Sequence, residues 1–147
     1  MNDMTYDRVV RSAAPSGAGT RAITKYQPAN PAPRTVAKAL GLFSLALGLT
    51  ELVVPRALAS TLGIRSHPQL LPAFGLREIA SGLAILGASD PTNAVRSRVL
   101  GDALDLAFLG TEFAAAPPDA RTRVVAATAA VLGVTAVDVW CAAKLSG

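Results

Sequence analysis

Long apolar runs, each interrupted by a few charges, alternate with short proline- or glycine-marked breaks from residue 35 onward. Runs of about 20 residues match helices that cross a ~30 Å hydrocarbon core at ~1.5 Å per residue. The pattern therefore predicts helices over residues 35–54, 70–88, 95–116 and 121–145. Pro55 closes the first run, and Arg56 to Gly63 reads as a short amphipathic helix, either lying on a membrane interface or merely connecting. Ser89-Asp90-Pro91-Thr92-Asn93 is a turn, and Pro117-Pro118-Asp119 is a helix break. Residues 1–34 mix Ser, Ala, Gly and Pro with scattered charge and cannot bury enough surface to offset ordering entropy. They read as a disordered basic leader, and without an apolar h-region they do not read as a secretory signal peptide.

Small residues recur on one stripe of each early run: Gly41 and Gly48, with Ser44 and Glu51, in the first, and Gly75 and Gly82 in the second. Gly101 opens the motif of the third. Such stripes let helix backbones approach closely in lipid. Charge lies inside the same runs. Measured from the end nearest the turn at residues 89–93, Asp102 lies ~5 Å deep, Asp105 ~9 Å, Asp138 ~10 Å, and Arg77 with Glu78 ~15 Å. These residues form one expected polar layer, with Arg98 at its rim, while Glu51 and Glu112 lie toward the opposite face as an outer acidic pair.

Arg77 and Glu78 project about 100° apart around a helix, so each is expected to find its partner elsewhere. Arg77 with Asp105 or Asp102 is the expected bidentate pair. At least one remaining acid must then be protonated or reach water. Two central aspartates in the third run cost ~5 kcal/mol against ~3.5 kcal/mol gained from its large apolar residues. That helix should need its neighbours in order to stay inserted.

Composition supports a membrane class. Hydrophobic residues make up 51% of the 147-residue chain and charged residues 16%, against ~25% charged in ordinary soluble domains. With 5% aromatics, the net charge of +4 suits a membrane surface better than stacked bases, so no nucleic-acid partner is expected. The lone Cys141 forms no intramolecular disulfide and reads as a small buried hydrophobe. The lone His67 reads as an exposed loop imidazole. No nucleophile and base pair, phosphate loop or metal-ligand spacing is visible, so neither catalytic residues nor a cofactor is expected. Seven basic residues, Arg21, Lys25, Arg34, Lys38, Arg96, Arg98 and Lys144, stand against Arg56, Arg65, Arg121 and Arg123 on the other side. This asymmetry favours a multi-pass protein of the cytoplasmic membrane with both termini in the cytoplasm.

The segments Gly75-Leu76-Arg77-Glu78-Ile79 with Ser81-Gly82, Gly101-Asp102-Ala103-Leu104-Asp105-Leu106 and Val134-Thr135-Ala136-Val137-Asp138 resemble a group of small bacterial four-span membrane proteins of unknown function. Similar segments are found joined to cyclase/dehydrase-like domains of the START lipid-binding type. The resemblance spans residues 35–145 and implies a START-like partner, but no chemistry.

The expected fold class is all-α: a four-helix transmembrane bundle with a short interfacial helix and a disordered N-terminal leader. Its expected function is non-enzymatic, the polar layer fixing packing within one chain or assembly with further copies or another membrane protein. The competing function is a carrier or binding module for a proton, small polar solute or lipid. A water-soluble helical bundle is the competing class, because charge interrupts every run.

Overall fold

The structure, a computed structural model, describes residues 31–147; the leader expected over residues 1–34 lies outside the described residues up to position 30. The described residues are helical and contain no strand. Helix α1 spans Ala32–Val53, α2 Pro55–Leu62, α3 Leu71–Gly87, α4 Thr92–Ala115 and α5 Pro118–Ser146, with a short 3-10 turn at Pro68–Leu70 before α3.

Proline and glycine set most boundaries. Pro55 opens α2 after the break at Val54, and Gly63 closes α2 in the left-handed region at φ 79°. A side chain at Gly63 would meet the Ala120 carbonyl oxygen at 2.8 Å, so both its conformation and its contact with α5 exclude a Cβ. Ala116 is extended, with ψ 130°, because the following Pro117 disfavours a helical residue before it. Pro118 then sits in the first turn of α5, where a missing N–H costs nothing. The last helix therefore starts three residues earlier than the sequence pattern suggests. The first starts at Ala32 for a similar reason, with proline tolerated in its first turn.

The long helices pack as two antiparallel hairpins, α1 against α3 and α4 against α5, with narrower contacts from α1 to α5 and from α3 to α4. Ala37, Leu40, Ile85, Val95, Cys141 and Ala142 form an apolar cluster that joins all four at one end. The start of α1, the α3–α4 turn and the end of α5 therefore share that end. Leu109, Ala116, Ala120, Val124 and Ala127 close the α4–α5 hairpin near the other end. There α2 packs through Ala59 against Ile64 and Leu71. A layer of charged side chains lies between these ends.

Beside the apolar clusters, several charged side chains are buried while many large apolar ones face outward. Glu78, Arg98, Asp102, Glu112 and Asp138 are at most 3% exposed, whereas Leu42, Leu76, Leu100 and Leu104 are at least 60% exposed. Among the described residues, α1, α5 and the segment Pro68–Gly87 are long and apolar enough to cross a membrane. Helix α4 is not among them, because Arg96, Arg98, Asp102, Asp105 and Glu112 interrupt it.

Candidate functional site

The charged layer is built on two guanidinium groups. Arg98, on α4, directs Nε to Asp138 Oδ2 on α5 at 2.9 Å and Nη1 to Glu78 Oε2 on α3 at 2.6 Å. The same Nη1 donates to Ser44 Oγ on α1. One side chain thus reaches a partner on each of the other three long helices. Its guanidinium carbon also lies 5.8 Å from the Phe43 ring centroid, within cation–π range.

Arg77, on α3, donates from Nη2 to Asp105 Oδ2 at 2.6 Å and to Glu78 Oε1 at 2.7 Å. Its Nη1 donates to the Gly101 carbonyl at 2.7 Å. Phe74 lies 5.5 Å beneath this guanidinium and is itself 5.0 Å from the Phe108 ring. Glu78 gives one oxygen to each arginine, so the charges alternate without a gap from Asp105 through Arg77, Glu78 and Arg98 to Asp138.

Two acids are left over. Asp102 and Glu51 form no ion pair with either arginine. The acceptors Asp102 Oδ2, Asp138 Oδ1 and Glu51 Oε2 and the donor Arg77 Nε are buried without a hydrogen-bond partner. The neighbourhood therefore holds five carboxyl groups and two guanidiniums.

Glu51, Glu78, Arg98, Asp102 and Asp105 border a cavity of about 190 Å³ whose remaining walls are apolar. Phe43, Phe74 and Phe108 form part of those walls, and Leu58 and Leu62 of α2 roof it.

Several expectations need correction. Arg98 is not at the rim: it is 2% exposed and central. Counting helical rise locates a Cα, not the end of a long side chain, and α4 begins at Thr92, which sets Arg98 well inside the helix. Arg77 and Glu78 do meet, although adjacent on α3, because the long arginine side chain curls around the helix to reach the carboxylate. Asp102 is not a partner of Arg77; Asp105 is, through one bond from Nη2 and not as the expected bidentate pair.

Glu51 and Glu112 are not a pair. Glu51 faces the cavity, whereas Glu112 accepts backbone N–H groups from Arg65, Ser66 and His67, each at 3.0 Å, and lies 3.0 Å from His67 Nδ1. Glu112 thereby satisfies the donors of the loop after α2, and His67 is half-exposed but partnered. Gly101 serves the layer rather than helix contact: a Cβ there would meet the Arg77 guanidinium carbon at 3.2 Å. Ser44 belongs to the network, and its place on the Gly41–Gly48 stripe was the available signal. Nothing periodic in the sequence pointed to the loop ligands of Glu112.

The small-residue stripes of α1 and α3 lie against each other. A Cβ at Gly48 would lie 2.5 Å from the Gly75 carbonyl oxygen, one at Gly75 2.7 Å from that of Gly48, and one at Gly82 2.7 Å from that of Gly41. Cys141 is fully buried and donates from Sγ to the Pro33 carbonyl at 3.3 Å. Among the described residues no cluster of His, Cys, Asp and Glu is arranged to hold a metal ion. Comparison with family models, curated proteins and solved structures gives no match.

Proposed function

We propose that this chain is a non-enzymatic, four-span integral membrane protein in which the alternating chain of charges fastens two helical hairpins together. The observation that carries this reading is Arg98, whose one guanidinium is bonded to Ser44, Glu78 and Asp138 on three different helices. Hydrocarbon as the surrounding medium accounts for the pattern of exposure, since leucine faces outward and acids face inward. It also accounts for α4 as a span. Its charged positions Arg98, Asp102 and Glu112 are covered by neighbours, while Leu100 and Leu104 remain outside. Helix α2 lies at the interface in this arrangement.

Both termini lie on the cytoplasmic side of the inner membrane in this reading. With Arg98 counted in the layer, six basic residues at that end face four at the other. Replacing Arg98 by Leu tests the fastening role. The protein should still insert but unfold at much lower temperature in detergent; unchanged melting would contradict the reading.

A second reading is favoured by the cavity and the acidic residues Glu51, Glu78, Asp102 and Asp105 that border it: a binding module or carrier for a proton, a small polar solute or a lipid. A START-like lipid-binding partner belongs to this second reading and rests on the sequence resemblance.

A further inference from the structure

We infer that the basic notch where α2, the loop after it and the start of α5 come together is a binding site for the phosphate of an anionic phospholipid. This goes beyond the fastening role and rests on the four-span reading, which puts α2 at the interface.

Charge comes first. Arg56 on α2, Arg65 in the loop and Arg123 on α5 line the notch, and among the described residues no acid lines it. Asp119, at the start of α5, divides one oxygen between two of them: its Oδ2 lies 2.6 Å from Arg65 Nη2 and 3.9 Å from Arg123 Nη2. Among the described residues Arg56 finds no ion-pair partner. Three guanidiniums therefore share a single carboxylate, and an anion meets the excess. Arginine matches phosphate oxygens through paired N–H donors. The fourth arginine at this end, Arg121, is engaged elsewhere, with its guanidinium carbon 5.4 Å from the Phe113 ring centroid.

The notch is held in shape without a ligand. Buried Glu112 accepts the backbone N–H groups of Arg65, Ser66 and His67, which fixes the loop that carries Arg65. Gly63 turns the chain in the left-handed region and lets it lie against α5 at Ala120 and Arg123. Its surroundings then favour a lipid over free phosphate. Val53 and Val54, just before Arg56, and Leu70, just after Pro68, are large apolar residues left exposed at 68%, 44% and 41%. At an interface such residues meet acyl chains while basic groups beside them meet the headgroups. Free phosphate would gain nothing from them.

The test is native mass spectrometry of the full chain, delipidated in detergent and given equal amounts of dioleoyl phosphatidylglycerol and dioleoyl phosphatidylcholine. The anionic lipid should be retained on the order of tenfold more than the zwitterionic one. Arg56→Gln, which disturbs no ion pair, should lower that preference about fivefold, the usual worth of one arginine at an anionic headgroup. Arg123→Gln should lower it as well, whereas Arg121→Gln should leave it unchanged. Equal retention of the two lipids overturns the inference. An equal loss from Arg121→Gln and Arg56→Gln also overturns it, since the charge of the whole end would then be acting rather than the notch. Displacement of the lipid by equimolar inorganic phosphate overturns the choice of a lipid as ligand. Recovery of the folded chain without detergent would remove the four-span reading and this inference together; a chain that needs detergent yet shows no preference removes this inference alone.

Discussion

The interface between α1 and α3 and the seam between the two hairpins use opposite means of holding helices together. Within the first hairpin the backbones nearly touch, with Gly48 against Gly75 and Gly82 against Gly41, and no room for even a methyl group. Across the seam the helices share less contact, and the space is bridged by Arg77 to Asp105 and by Arg98 to Glu78 and Ser44. In hydrocarbon, apolar side chains gain little by leaving lipid for one another. Close backbone packing and charge pairing are the two remaining sources of attraction, and this chain assigns one to each junction.

The seam is most vulnerable at Arg98. Arg98→Leu leaves Glu78 and Asp138 buried without their shared cation and should cost about 3–5 kcal/mol, read as a fall in unfolding midpoint in detergent. At the glycine junction, Gly48→Ala sets a Cβ against backbone that cannot move aside, and an overpacking cost of about 1–3 kcal/mol is expected. Gly110→Ala is the internal control. Nothing lies within 4 Å of a Cβ there, so the same exchange should stabilise α4 by about 0.5–1 kcal/mol. If both glycine variants shift the unfolding midpoint in the same direction, the close-packing argument fails.

A double-mutant cycle sharpens the seam. Arg77→Leu and Asp105→Leu should each destabilise, but together by less than their sum, with a coupling of about 0.5–3 kcal/mol. Strict additivity would show that the pair is not an energetic unit.

The smallest effect lies in the turn between α3 and α4. Asp90 accepts from the Thr92 hydroxyl at 2.6 Å and from the Thr92 backbone N–H at 3.0 Å, and these two bonds hold its carboxyl below the ordinary value of 3.8. A depressed folded-state value means that this contribution is present above the ordinary value and lost as pH falls through the depressed one. Asp90→Asn should therefore flatten a slight acid-side decline in the wild-type unfolding midpoint; an identical decline in both proteins would assign it elsewhere.

The presence and order of the long helices were legible because proline, glycine and hydrophobic run length are local signals, but three of their starts fall three residues earlier than expected, at Ala32, Thr92 and Pro118. The glycine stripes were legible too, since helical periodicity fixes which residues share a face. Most of the layer's members could be read from depth, but Ser44 and Glu51 could not, and neither could its wiring. Depth counting treats a residue as its Cα, whereas Arg98 and Arg77 act at the far ends of long side chains. That is why Arg98 looked peripheral and why Arg77 and Glu78 looked separate. Glu112 was misread for another reason: its ligands are backbone N–H groups of residues 65–67, and an irregular loop leaves no periodic trace.

The account as a whole depends on hydrocarbon around these helices. Alkaline extraction of membranes from cells expressing the full chain measures this directly. The protein should stay in the membrane pellet and be released only by detergent; its recovery as a folded, detergent-free species in the aqueous fraction would contradict the account.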